Sequence, residues 1–257
     1  MFFELLSVLP AFFLVFVRCM SFLLASPLFI IPGIPPLAKA GFGFALAVII
    51  YPVVPQTEAI MVQTLWQYAF MAVKETLVGV GMGIIATMIF NIMRMAGQMI
   101  DFQIGFAMSQ MMDPTTGTIN TLLGKFLYFV TLAVFLSIDA HHGLIMGLVK
   151  SYQILPLALA DIKSEAAPFI IEIFSTSITL ALKVAIPVIG ALLMVDMALG
   201  VMGRAAPQMN VFMLGFPFKI MFGLISLAVL LPLMSSIFMH VFDMMHRDIL
   251  ILVRWLT

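Results

Sequence analysis

Apolar residues run in long blocks along this chain, each interrupted by a charged or proline-rich break. A helix that crosses a bilayer needs roughly 20 mostly apolar residues, and six stretches approach that pattern. They run from about Leu5 to Phe29, Leu37 to Val54, Trp66 to Gln103, Phe126 to Val149, Pro168 to Val201 and Ile220 to Met239. Arg18 lies in the middle of the first. Asp139, His141 and His142 break the fourth, and Glu172, Lys183 and Asp196 lie in the fifth. The sixth is the cleanest, with Pro232 inside it. Pro32-Gly33-Ile34-Pro35-Pro36 and Asp113-Pro114-Thr115-Thr116-Gly117 read as turns, because Pro and Gly disfavour helix. Asp161 to Pro168 reads as a solvent loop, and Gly203 to Gly215 as a Pro-, Gly- and Met-rich connection. The pattern predicts an all-α protein of six hydrophobic helices in hairpins, with no separate soluble domain.

The polar residues inside these blocks recur at helical spacing. Thr87, Asn91, Arg94, Gln98 and Asp101 follow one another at intervals of 4, 3, 4 and 3, which places all five on one helix face. Glu172, Thr176, Thr179 and Lys183 repeat the device, as do Ser236, His240, Asp243 and Arg247. An ionisable group facing lipid costs at least about 2.5–3.5 kcal/mol, so these stripes are expected to meet other helices or a water-filled cavity. Contacts within the chain and contacts with partner subunits both satisfy that requirement. Gly79 and Gly83 form a small-xxx-small pair suited to close helix packing.

Composition sharpens the picture. Of 257 residues, 63% are hydrophobic and 9% charged, with a mean hydropathy of +1.20, far from the balance of a soluble domain. This is the composition of an integral membrane protein or of a subunit buried in a membrane assembly. The formal net charge is zero, which excludes a nucleic-acid binder working through a basic surface. The first segment carries Glu4 and no early Lys or Arg, unlike a cleaved signal. Lys and Arg divide evenly between the two sets of alternate loops. Lys39, Arg94, Lys125, Arg204 and Lys219 stand against Lys74, Lys150, Lys163, Arg247 and Arg254, so the usual orientation bias is missing. Cys19 is the one cysteine, so no disulfide forms within the chain.

Methionine is abundant, with 23 residues, and it concentrates in the connections. Gly105-Phe106-Ala107-Met108-Ser109-Gln110-Met111-Met112 reads as an apolar loop that occupies an enclosed space, since an exposed patch of this kind invites aggregation. Met side chains are soft and adapt to changing neighbours. No catalytic residue is assigned, because no H-E-x-x-H, G-x-S-x-G or Walker motif occurs. Asp139, His141 and His142 form the one cluster resembling metal ligands. Adjacent helical histidines point about 100° apart, so no metal and no cofactor is expected. A small-solute secondary transporter is the competing class, with Arg18, Lys183 and Asp196 as its binding groups.

Two stretches together resemble a known family. The run Ala206-Pro207-Gln208-Met209-Asn210-Val211-Phe212-Met213-Leu214-Gly215-Phe216-Pro217-Phe218-Lys219-Ile220 is similar to the signature of the flagellar biosynthetic protein FliR family, with Pro207, Met209, Asn210, Gly215, Pro217 and Lys219 as its markers. Ala96-Gly97-Gln98-Met99-Ile100-Asp101-Phe102-Gln103-Ile104-Gly105-Phe106-Ala107, followed by Asp113-Pro114, resembles the same family. The resemblance covers the whole chain and extends to the equivalent subunit of virulence injectisomes, with the flagellar version favoured. It implies the R-type subunit of a type III export gate, one part of a helical assembly with P-type and Q-type subunits. That assembly sits in the inner membrane within the flagellar basal body, works with an export switch membrane protein and passes unfolded flagellar proteins. Residues 1–165 would be P-like and 166–257 Q-like. The resemblance also implies a channel plug at about Gly105 to Asn120, carried by Gly105, Phe106, Ala107, Met108, Met111, Met112, Asp113 and Pro114. The stripe residues Asn91, Arg94, Gln98, Asp101, Glu172, Lys183, His240, Asp243 and Arg247 would serve interhelical or subunit contacts.

Overall fold

The computed structural model describes residues 2–27, 29, 34–55, 64–106, 121–161, 163–206, 208 and 210–257, with the backbone alone for 2–8, 211, 212 and 214. Among the described residues, all regular structure is helical. The helices are α1 (Phe2–Ala25), α2 (Pro36–Ile50) with a tight helical turn at Tyr51–Val53, α3 (Leu65–Ile104), α4 (Leu122–Ser137), α5 (Ala140–Ile154), α6 (Ala166–Ala205), α7 (Val211–Leu233) and α8 (Ser235–Trp255).

The all-α expectation holds, but two of the six expected segments are each two helices. The fourth breaks at Asp139, which adopts the left-handed conformation at φ 57° and sets α4 and α5 at 75° to each other. The sixth breaks at Met234. The helix runs through Pro232 and α7 stops at Leu233, where the Met234 N–H closes on the Leu230 and Leu231 carbonyls, and α8 restarts at Ser235. The stripe Ser236 to Arg247 therefore belongs to its own helix. At its other end α7 begins at Val211, well before the expected Ile220, because the Asn210 side chain caps it by accepting the Met213 N–H at 3.3 Å. The connection read at Gly203 to Gly215 is correspondingly shorter.

Among the described residues, four segments are long and apolar enough to cross a membrane: Pro36–Val53, Leu65–Ile104, Ala166–Ala205 and Gly215–Leu233. The bent α4–α5 pair makes a fifth if counted as one span. On α6 and α7 large apolar side chains stand exposed, among them Met194, Met197, Val201, Val229 and Leu233. A single chain in water does not leave such a surface bare. By contrast α8 is amphipathic, burying Phe242, Met245, Ile249, Leu252 and Val253 while His240, Asp243 and Arg247 face outward.

The chain forms two compact units, one from Met1–Ile89, Leu136–Phe174 and Phe242–Thr257, the other from Phe90–Phe135 and Ser175–Val241. The first is organised around Arg18, which is fully buried. Its Nε donates to Glu75 Oε2 at 2.5 Å, and its Nη1 donates to Ser151 Oγ at 3.3 Å and to the Leu155 carbonyl at 3.1 Å. The guanidinium also lies over the Tyr152 ring, 4.3 Å from its centroid. The other Glu75 oxygen accepts the N–H of Ala158 at 2.9 Å, where the chain turns at φ 66°. Tyr152 in turn donates to the Val15 carbonyl at 3.2 Å. One buried ion pair thus joins α1, α3, α5 and the turn that follows α5.

The glycine pair on α3 permits this closeness. A Cβ on Gly79 would meet the Ser21 hydroxyl and the Arg18 carbonyl, and one on Gly83 would meet Ala25 and the Phe22 carbonyl. The small-xxx-small pair is therefore the seat of α1.

Removing one partner of a buried ion pair strands the other charge and costs about 3–5 kcal/mol. Glu75→Ala should lower the thermal unfolding midpoint in detergent sharply. The double variant Arg18→Met/Glu75→Met should recover most of that loss.

Candidate functional site: the end of the third helix

The last turn of α3 is closed by Gly105, whose φ of 100° lies in the left-handed region. The N–H groups of Gly105 and Phe106 both donate to the Asp101 carbonyl at 3.1 Å, a glycine-terminated helix end. The Phe216 ring lies 3.1 Å from the place a Cβ would occupy on Gly105. Any other residue here would be both strained and crowded. The aromatic that crowds it comes from the signature stretch on α7.

Asp101 also serves the next helix. Its Oδ2 accepts the N–H groups of Leu123 at 2.9 Å and Gly124 at 3.2 Å. These are donors in the first turn of α4, left without partners inside that helix. Asp101 is thus an N-cap supplied from another helix, with its negative charge at the positive end of the α4 dipole. The absent side chain of Gly97 lets α3 approach this turn, since a Cβ there would lie 2.6 Å from the Leu123 carbonyl. Both flanks of residues 107–120 are in this way fixed to α3, at Phe106 by the glycine cap and at Thr121 by the Asp101 cap.

A second carboxylate gathers three helices. Asp196 Oδ1 pairs with Lys219 Nζ at 2.5 Å, and Asp196 Oδ2 accepts a hydrogen bond from Gln103 Nε2 at 3.1 Å. The Ile104 side chain fills the space over Gly223 and is fully buried. The end of α3 is therefore held from α6 and α7 by Phe216, Lys219, Asp196 and Gly223.

The sequence-predicted residues fall as follows. Gly105, Phe106, Asp101, Asn210, Gly215 and Lys219 all take part in this region's capping, packing or pairing, with Gly215 buried against Leu199. Pro217 is exposed within α7. Ala107, Met108, Met111, Met112, Asp113, Pro114, Pro207 and Met209 lie outside the described residues. The α3 stripe divides: Asp101 is buried, Asn91 and Gln98 are half-buried, and Arg94 is exposed. Thr87 donates to the Ala25 carbonyl at 2.6 Å. Glu172, Lys183, His240, Asp243 and Arg247 are exposed. Arg247 contacts its neighbour Asp248 at 3.2 Å, while burial pushes the Asp248 carboxyl above the usual range.

The groups read as transporter ligands are already engaged elsewhere. Arg18 is spent on Glu75 and Asp196 on Lys219, while Lys183 points outward. The left-handed turn at Asp139 changes the expected divergence of the histidines, bringing donor atoms of Asp139, His141 and His142 within 4.8 Å. The two imidazoles lie against one another, with centroids 4.2 Å apart and a 32° tilt.

Glu75 and the pairing of Asp196 with Lys219 escaped the sequence reading, although a signal existed. Lys219 is the one charge within α7, and Glu75 and Asp101 are the two acids of α3.

Residues 9–245 match the family described as bacterial export proteins, family 1. The chain is 35% identical over 244 residues to the flagellar biosynthetic protein FliR of Bacillus subtilis strain 168, covering 94% of this chain and 93% of that protein. It is 28% identical over 240 residues to the FliR of Escherichia coli strain K12, covering 93% and 90%. It is also 28% identical over 185 residues to the Yop proteins translocation protein T of Yersinia pestis, covering 71% and 70%.

Loss of a side-chain cap typically costs about 0.5–2 kcal/mol. Asp101→Ala should lower the thermal midpoint in detergent and speed amide exchange at Leu123 and Gly124. Asp101→Asn keeps an acceptor and should lose less.

Proposed function

The chain belongs to the bacterial export proteins, family 1, and we propose from this that it works as the R-type subunit of a flagellar type III export gate. It is a membrane component of a type III export apparatus, with an all-α fold whose long apolar helices suit that setting. The observation that carries the flagellar reading is likeness to flagellar relatives along nearly the whole chain. Likeness to the translocation protein spans less of it, so the injectisome is the second reading.

In the proposed gate the chain joins P-type and Q-type subunits and the export switch protein in the inner membrane, at the flagellar basal body. Residues 1–165 take the P-like place and 166–257 the Q-like place. The exposed apolar faces of α6 and α7, with Glu172 and Lys183 among them, supply subunit contacts. His240, Asp243 and Arg247 on the outer face of α8 supply more. Both signs of charge occur on each face, so neighbouring subunits can meet it without burying a net charge.

The plug is assigned to the segment beginning at Gly105 and Phe106 and running through Ala107, Met108, Met111, Met112, Asp113 and Pro114. Its support is mechanical. A seal has to be anchored at both ends, and the chain on either side of residues 107–120 is capped onto one helix by Asp101. Methionine-rich sequence then provides a surface that repacks around polypeptides of any sequence. The chain serves as a structural component of the apparatus, and energy for transport enters through other subunits.

Native mass spectrometry of the tagged protein, purified in mild detergent from cells co-expressing the neighbouring membrane subunits, should give one copy of this chain with several copies of two smaller ones. A lone, stable chain would return weight to the transporter reading. Deleting Gly105 to Met112 should raise small-solute leakage through the assembled complex, and unchanged permeability would remove the plug assignment.

A further inference from the structure

The connection from α6 to α7 is short, and Asp196 and Lys219 stand at similar heights on either side of it. Side-chain packing between the two helices is incomplete there. An apolar pocket of about 490 Å³ opens between them, lined among others by Val195, Leu199, Met202, Phe218 and Phe222. Val195 and Phe218 adjoin the paired residues in sequence, so at this height a charge contact fastens helices that packing leaves loose. The same carboxylate reaches Gln103, two positions before the glycine that ends α3. The pair is one-quarter to one-third exposed. It is open on one side to whatever neighbours α6 and α7, unlike the fully buried Arg18–Glu75 pair.

We propose that Asp196, Lys219 and Gln103 form a latch in which one carboxylate, held by Lys219, fastens the last turn of α3 through Gln103. With the pair closed, Asp196 stands within reach of Gln103, and Ile104 stays seated over Gly223 beneath the Phe216–Gly105 contact. With the pair open, Asp196 turns away from α7, Gln103 loses its acceptor, and the last turn of α3 is released. Its consequence for export rests on the plug reading given above. Asp196, Lys219 and Gln103 act as positioning residues, since none of them has to touch the passing chain.

The test places a single reporter thiol at the latch, Ile104→Cys in a Cys19→Ala background, within the assembled complex in mild detergent. Ile104 is fully buried, so alkylation by a soluble maleimide should be slow. Lys219→Met should speed it at least about ten-fold, as expected when local opening becomes easier. The exchange Asp196→Lys with Lys219→Asp should restore the slow rate, because the Gln103 amide both donates and accepts. An unchanged rate in Lys219→Met overturns the latch. So does a fast rate in the exchanged pair, which marks general loosening rather than loss of one contact.

Small-solute leakage, measured beside the Gly105 to Met112 deletion, separates the two claims. Leakage in both the deletion and Lys219→Met supports the latch as the fastening of the seal. Leakage in the deletion alone overturns that link. Leakage in neither, with fast alkylation in Lys219→Met, leaves the latch standing and removes the plug reading.

Discussion

Arg18 can sit in the middle of an apolar helix only because Glu75 is held against it, and much of the first unit follows from keeping that carboxylate in place. Glu75 must come from a helix that approaches α1 closely, which is what Gly79 and Gly83 allow. The Nη1 hydrogens need acceptors, which Ser151 and the Leu155 carbonyl provide at the end of α5. The remaining oxygen of Glu75 needs a donor, and the left-handed turn at Ala158 presents one. Attraction between two charges does not by itself make such a core more stable than an apolar one. Its effect is positional, because an unpaired charge in this environment is so costly that alternative packings are excluded.

The second unit meets the same requirement with contacts of graded strength. Asp101 is buried and one of its oxygens, Oδ2, is held by peptide N–H groups, which cannot move without unwinding α4. Asp196 is satisfied by side chains at a partly exposed position. Two carboxylates near one helix end thus have different tolerances for disturbance. The first suits a permanent anchor and the second a contact that opens and closes.

How much of this was legible depends on whether the relevant signal was local. Apolar blocks located α1, α2, α3 and α6 to within a few residues, because their ends coincide with Pro, Gly or charge. The split of the last segment at Met234 was hidden, since Leu233-Met234-Ser235 carries no charge, and prolines also lie inside α1 and α6 without ending them. The start of α7 was placed too late because Pro217 and Gly215 read as breakers, whereas the Asn210 cap and a proline in the early turns are compatible with helix. For the candidate site, the polar spacing on α3 correctly marked a special face but not the partners of each residue. The Asp101 cap depends on a helix twenty residues further on, and the Asp196–Lys219 pair depends on how α6 and α7 turn about their axes. Neither is encoded in a local window of sequence.

The Arg18 cluster also sets a clock on biosynthesis. Its donors and acceptors are spread from Val15 to Ala158, so α1 leaves the ribosome long before the groups that neutralise it have been made. During that interval an unpaired guanidinium cannot rest at the centre of a bilayer without a cost of about 2.5–3.5 kcal/mol or more. The nascent first helix must therefore wait at the water interface, in a protein-lined passage or in the care of a chaperone. Its full set of contacts closes only when synthesis has passed Ala158, so the first helix to be translated is seated no earlier than the fifth.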